Sequence, residues 1–302
     1  MSLQSGRITV QKVDELGAVL LPMTRAFPDV TREDLRHTRE WYTEGSTGDD
    51  PATAIVGVPF HSFVLKVEGK NILIDTCNGN HKTRSDATPW NNDLNLPYLE
   101  NLEAVGLAPE DIDVVLCTHL HFDHVGWNTR LENGRWVPTF PKARYLFTRA
   151  DYEFFDKNHE EPLHLASFED SILPVVEHGL ADLVETDHVV EHEIGNGVWL
   201  EGTPGHSPGS CVVHAKRGGD QLVFSGDTFH HPLELTRPDI LFFGDLDHGL
   251  AAATRRKMFE RYADTSTLFL PAHFGGASAG RIQRHRHGFK FDYLDPATFK
   301  AT

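Results

Sequence analysis

From Phe60 onward, short runs rich in β-branched and aromatic residues recur along the chain. They are SFVLKVEG (62–69), NILIDTC (71–77), DIDVVLCT (111–118), ARYLFT (143–148), GVWLEG (197–202), SCVVHA (210–215), DQLVFSGD (220–227) and TLFLPA (267–272). Turn residues such as Gly69-Lys70 and Gly218-Gly219-Asp220 bound several of them, so each reads as a strand. Two stretches show helical periodicity instead. Leu96–Val105 places Leu99, Leu102 and Val105 on one side, and Leu250–Tyr262 does so with Leu250, Ala253, Met258 and Tyr262. Strands interleaved with helices, with two adjacent strand pairs at hairpin spacing, predict an α+β (α/β) fold of mixed sheets covered by helices. The first 55 residues read differently. A strand over Arg7–Val13 is followed by a short helix that Thr31 caps, with Glu33 and Asp34 in its first turn. The stretch GSTGDDPAT (45–53) then breaks the chain. The expected organisation is an N-terminal arm or lid over residues 1–55 and one main domain over residues 56–302.

The 302 residues are 39% hydrophobic, enough to bury a sizeable core. Acidic residues outnumber basic ones 44 to 28, a formal charge of −16, whereas a nucleic-acid binder carries a basic stripe. The longest basic run, RIQRHRHGFK (281–290), reads as solvated surface. No stretch approaches the ~20 apolar residues of a membrane-spanning helix, and the first residues show no apolar signal-peptide core. Three scattered cysteines, Cys77, Cys117 and Cys211, do not form a disulfide framework or a thiolate zinc cluster. A cytoplasmic protein with a small-molecule substrate, and no nucleic-acid or membrane partner, is the expectation.

The chemistry lies where the strands end. DVVLC runs into Thr118-His119-Leu120-His121-Phe122-Asp123-His124. GVWLEG runs into Thr203-Pro204-Gly205-His206, QLVFSG into Asp227, and TLFLPA into His273. Taken singly, His206, Asp227 and His273 read as turn or cap residues; their order and their shared placement make them a set. Strand ends that meet on one rim form the crevice in which α/β proteins bind ligands. Imidazole and carboxylate together suit zinc, and also manganese, cobalt or iron. A catalytic zinc ion takes three protein ligands and a water, so seven ligands allow two ions with one ligand shared. On extended backbone His119 and His121 project the same way and can grip one ion; on a helix they would sit about 200° apart. Asp123 and His124, beyond the turn, then address the other, and the two oxygens of Asp227 suit a bridge.

With these residues in place the chain resembles the metallo-β-lactamase superfamily. THLHFDH matches its His-x-His-x-Asp-His signature, and His206, Asp227 and His273 fall where its later ligands are expected. The resemblance implies an αβ/βα sandwich of two mixed β-sheets flanked by helices. It implies a dinuclear centre with His119, His121 and His206 on one ion, Asp123, His124 and His273 on the other, and Asp227 bridging. LIDTCNG (73–79) looks like the family's Asp-Thr-Gly segment, with Cys77 and Asn78 displacing the glycine to Gly79. Asp75 would then support a ligand. With the ligand count full, His230, His231, His248, His285 and His287 are not expected to bind these ions, and Cys211 reads as a buried strand residue.

Two divalent cations lower the pKa of a bridging water and polarise the substrate oxygen, which predicts a metallohydrolase that uses a bridging hydroxide. Asp123 is the candidate for orienting the nucleophile or carrying a proton. FSGDT is not a Gly-x-Ser-x-Gly elbow, and no Gly-rich loop follows a strand, so serine-hydrolase and nucleotide chemistry have no support. The spacing of the later ligands resembles the methyl parathion hydrolase-like branch of the acyl-homoserine lactonase group. In many of those lactonases a tyrosine three residues after the bridging aspartate contacts the substrate carbonyl; here His230 stands in that place. The expected substrate is thus a lactone or ester, with phosphotriesters in view. Similar lactonases also imply a homodimer. Phe122, Trp127, Phe229 and Phe274 adjoin ligands and read equally as core or as substrate wall. Rival readings are a glyoxalase II-like thioester hydrolase, a metal-binding scaffold without turnover, and redox chemistry at a di-iron centre.

Overall fold

Each predicted apolar run from Ser62 to Ala272 is a strand in the structure, a computed structural model that describes residues 2–5, 8–42, 48–84, 88–159, 167–193 and 195–295. Residues 45–47 of the expected chain break lie outside the described residues. The chain divides into two compact units, one of residues 1–16, 60–188 and 299–302, the other of residues 17–59 and 189–298.

In the first unit, strands β1 (Ser2–Ser5), β2 (Ile8–Pro22), β3 (Ile55–Val67), β4 (Lys70–Ile74), β5 (Val114–Leu116), β8 (Arg144–Thr148) and β9 (Ala181–Val184) form a sheet in that order. Strands β2 and β3 also run on into residues assigned to the second unit. The hairpin β3–β4 is antiparallel, whereas β4, β5, β8 and β9 are parallel. Val115 and Leu73 sit in the core, as buried parallel strands require. Helices Tyr98–Ala104 and Arg149–Asn158 supply Leu102 and Phe155 to the same core. A small hairpin, β6 (Thr129–Glu132) with β7 (Arg135–Pro138), stands apart from this sheet.

The second unit carries strands β10 (Val189–Glu193), β11 (Asn196–Gly202), β12 (Cys211–Arg217), β13 (Asp220–Gly226), β14 (Leu268–Pro271), β15 (Gly280–His285) and β16 (Gly288–Tyr293), in chain order across the sheet. Every neighbouring pair is antiparallel except β13–β14, which is parallel. Two antiparallel steps separate β11 from β13, so β11, β13 and β14 all point the same way. Their carboxyl ends therefore share one edge of the sheet. The helix His248–Tyr262 contributes Met258, Phe259 and Tyr262 to the core with Phe229, Phe269 and Phe291. The predicted cap is present: the Thr31 hydroxyl accepts from Asp34 N, and the Asp34 carboxylate accepts from Thr31 N at the start of helix Arg32–Arg39. Two mixed sheets flanked by helices are thus borne out. Strand β5 belongs to one sheet, and β11, β13 and β14 belong to the other. Among the described residues no helix is long and apolar enough to cross a membrane.

Candidate metal centre

In the first unit, the backbone leaves β5 at Leu116 and bends at Thr118, His119 and His121 before the four-residue helix Phe122–Val125. His119 and His121 lie in this bent segment. Their ring nitrogens Nε2 and Nδ1 nevertheless face one another at 3.0 Å. Asp123 and His124 lie in the helical turn, with His124 Nε2 3.7 Å from Asp123 Oδ2.

One carboxylate holds both ends of this loop. Asp75 Oδ1 accepts from Thr118 N at 2.7 Å, and Asp75 Oδ2 takes the His124 Nδ1 proton at 2.9 Å. The Thr118 hydroxyl adds bonds to both oxygens. Asp75 is therefore the support that its place in LIDTCNG implied. The segment after it lies against the loop backbone to backbone: Thr76 N donates to His124 O, and Gly126 N donates to Cys77 O. A Cβ on Gly126 would fall 1.9 Å from Asn78 C, and Gly79 has φ +80 with Gly126 C at 2.7 Å. Glycine is required at both places. Behind them sits Glu15. Its buried carboxylate accepts from Asn78 N, Asn78 Nδ2, Gly79 N and Trp127 Nε1 at 2.7–3.0 Å. Burial raises its pKa, while these four bonds pull the other way.

In the second unit, register does the work that a loop does in the first. The pair Gly226↔Pro271 in β13–β14 releases Asp227 and His273 side by side, with His273 Nε2 3.1 Å from Asp227 Oδ1. After β11, the turn at Pro204-Gly205 brings His206 Nε2 to 3.3 Å from the other oxygen, Asp227 Oδ2. Gly205 has φ +136, and a Cβ there would meet Ala251 N at 2.3 Å, so the turn passes tightly against the start of helix His248–Tyr262. His230 Nε2 also faces Asp227 Oδ2, at 3.2 Å. The structure thus gathers His206, Asp227, His230 and His273 at one edge of one sheet.

The second nitrogen of most of these rings is engaged. His206 Nδ1 bonds Asp245 Oδ1 at 3.1 Å, and His273 Nδ1 donates to Pro59 O at 3.0 Å. With His124 on Asp75, three histidines use Nδ1 on an oxygen acceptor and turn Nε2 towards a carboxylate of their own unit, Asp123 or Asp227. That is the tautomer and orientation which a metal-ligating histidine takes from its surroundings, so the donor set fits divalent cations.

His230 and His231 are adjacent and opposite. Burial works against a charge on His230, but the Asp227 and Glu234 carboxylates outweigh it and push its pKa up to about 10. Burial pushes His231 down to about 4, and its Nδ1 accepts from Leu233 N. Phe242 stacks on His230 with ring centroids 3.5 Å apart. Among the flanking aromatics, Trp127, Phe229 and Phe274 are core residues, and Phe122 is half-buried. Cys211 is a buried residue of β12. His285 and His287 sit beside Glu40 at the β15–β16 hairpin.

Four supporting residues gave no signal in the sequence: Glu15, Glu234, Asp245 and Arg255. The last three form one buried group. Arg255 contacts Asp245 Oδ2 at 2.9 Å and Glu234 Oε1 at 3.0 Å.

The sequence matches the Metallo-beta-lactamase superfamily over residues 57–273. It is 27% identical over 181 residues to an N-acyl homoserine lactonase of Bacillus cereus, a match that covers 56% of this chain and 64% of the relative. It is 32% identical over 124 residues to an N-acyl homoserine lactonase of a Bacillus species, covering 40% of this chain and 41% of the relative. The chain thus spans less than two thirds of the length of these curated relatives. Among solved structures, the hydrolase AbOPH of the β-lactamase superfamily superposes with a TM-score of 0.77 at 22% identity, covering 97% of each chain. AidC, described as a dizinc quorum-quenching lactonase, gives 0.77 at 19% identity and 98% of each chain. At such identities the likeness speaks to the fold, and it agrees with the two mixed sheets. The matched span covers the supporting Asp75 and every expected ligand from His119 to His273, and on it the chain belongs to the metallo-β-lactamase superfamily.

Proposed function

We propose that the chain is a dinuclear metal-dependent hydrolase that opens a lactone or cleaves a related ester, with N-acyl homoserine lactones, the class its relatives are named for, as the first substrates to try. In this reading the seven residues form two donor groups: His119, His121 and His206 with Asp227, and Asp123, His124 and His273 with Asp227. Zinc is the metal that imidazole and carboxylate suit best, with manganese, cobalt and iron as alternatives. The observation that carries the reading is Asp227. Its Oδ2 faces His206 and its Oδ1 faces His273, the disposition of a carboxylate serving two cations at once.

Bound cations of this kind supply Lewis acidity, which makes hydroxide available near neutral pH and polarises a carbonyl. The protein residues do the rest. In this reading Asp123, half-buried in the first turn of its helix, would accept a proton and return it to the leaving alkoxide. His230 is the candidate to donate a hydrogen bond to a substrate oxygen from Nε2. Phe242 fixes the plane of its ring, and Glu234 accepts from its backbone N–H. A histidine here, where many lactonases of the resembling group carry tyrosine, is the reason to include phosphotriesters among the substrates.

The test is hydrolysis of N-acyl homoserine lactones, aryl esters and phosphotriesters by zinc-, manganese- and cobalt-loaded protein. A chelator-treated sample is the control. The reading expects turnover that chelation abolishes and metal restores. Protein that holds two metal equivalents and is inert towards the whole panel would overturn it.

A further inference from the structure

Arg255 is fully buried in the helix His248–Tyr262, at 1% exposure, yet it is no metal ligand and lies in no motif. Every direction of its guanidinium is used. Nε donates to Pro238 O at 3.0 Å, and Nη2 donates to Ile240 O at 3.0 Å. Nη1 donates to Asp245 Oδ2 at 2.9 Å and lies 3.0 Å from Glu234 Oε1.

The two carboxylates lead to different histidines. The other oxygen of Asp245 holds His206 Nδ1. The other oxygen of Glu234 accepts from His230 N at 2.5 Å and His231 N at 2.8 Å. The backbone closes the circuit: Leu246 N donates to His206 O, and Asp247 N donates to Gly205 O, immediately before the helix that carries Arg255. Asp247 also caps that helix through Leu250 N.

We propose that Arg255 is a positioning residue that sets the metal-binding His206 and the substrate-facing His230 as one unit, through Asp245 and Glu234. The roles of the two histidines rest on the function proposed above. The physical argument is that two buried carboxylates so close together repel unless a cation lies between them, and only a planar fork reaches both while bonding two carbonyls. Removal of Arg255 frees both histidines at once. Loss of Asp245 frees His206 but not His230, and loss of Glu234 frees His230, with the neighbouring His231 N, but not His206.

Arg255→Lys keeps the charge but offers a single flexible ammonium that cannot occupy all four partners. The readout is the ring ¹⁵N pattern of the metal-free protein, which needs neither substrate nor metal. In the wild type Nδ1 of His206 faces Asp245. In the lysine variant the ring signals of His206 and His230 both change, zinc affinity at the His206 side falls, and kcat drops by about tenfold or more, in the range of residues that support a ligand. A KM that stays within about twofold marks positioning rather than lost substrate binding. Arg255→Lys with wild-type far-UV dichroism, unchanged ring signals and unchanged kcat would overturn the proposal. If that variant does not fold, Asp245→Asn and Glu234→Gln decide. The first must shift the His206 signals and spare His230, and the second must do the reverse; both shifting neither histidine overturns the proposal. Failure of the substrate panel would remove the proposed function but leave the ring signals standing as a test of Arg255.

Discussion

The first unit carries its proposed metal ligands on one loop, and the second carries them at three strand ends. His119, His121, Asp123 and His124 fall within six consecutive residues, held at both ends by the single carboxylate of Asp75. His206, Asp227 and His273 come from β11, β13 and β14 and are aligned by sheet register. A local loop needs one clamp. Separated segments need separate holds: His206 rests on Asp245, which shares the Arg255 guanidinium with Glu234, and His273 rests on Pro59 O. The residues behind the clamps differ in sign as well: a carboxylate, Glu15, collects four donors in the first unit, and a guanidinium joins carboxylates in the second. The lesson is that ligand geometry is bought by sequence proximity in one unit and by buried charge in the other.

The largest expected effect is at the residue whose two oxygens face different ligands. Asp227→Asn should lower kcat/KM by about 1000-fold or more, beyond the roughly 10–100-fold typical of a supporting residue. Steady-state lactone hydrolysis measures it, and a loss below tenfold would place Asp227 among the supports. Next come the two clamps. Asp75→Asn and Asp245→Asn should each weaken zinc binding by about 10–100-fold, read by competition with a chromophoric chelator. Asp75→Asn should be the more damaging, because its single remaining acceptor oxygen cannot serve both Thr118 N and His124 Nδ1, whereas Asp245 holds one ring. Equal effects would mean that the comparison of loop with network is wrong.

Much of this was legible because residue spacing is itself geometry. The four proposed ligands in THLHFDH stand close enough in the sequence to be read together, and their spacing alone suggests pairing His119 with His121. His206, Asp227 and His273 show because each follows an apolar run. The supports do not show. Glu15 occupies a strand whose pattern breaks into successive polar residues, Asp14 and Glu15, of which only Glu15 turns inward. Arg255 is flanked by Arg256 and Lys257, so its charge reads as the solvated face of a helix. Strand β2 runs to Pro22, well past Val13, because Gly17 and the unbroken AVLL run hide its alternation. Strands β10, β15 and β16 are interrupted by polar residues and gave no clear apolar run, and β9 is only four residues long.

Two smaller effects probe what stands behind each half. Glu15→Gln puts an amide N–H where a carboxylate oxygen met N–H donors. It should cost about 3 kcal/mol of stability by denaturant melting, through groups left unpaired, with little change in zinc affinity. A large loss of affinity with unchanged stability would make Glu15 part of the site rather than of its footing. His231 tests the footing of the second unit by pH. Its folded pKa, about 4, lies below the ordinary 6.5. Unfolded chains therefore take up a proton as pH falls below 6.5, while the folded protein does not until about 4. Stability from this group is intact above 6.5 and is lost towards acid, by up to about 2 kcal/mol at pH 5. His231→Gln should flatten that part of the difference between urea midpoints at pH 7 and pH 5. An unchanged slope would mean that His231 is not held neutral.

The most direct test of the central claim is anomalous X-ray scattering at the zinc edge from crystals of zinc-loaded protein. The account predicts two peaks, one bonded by His119, His121 and His206, the other by Asp123, His124 and His273, with Asp227 touching both. A single peak, or peaks confined to the ligands of one unit, would contradict it.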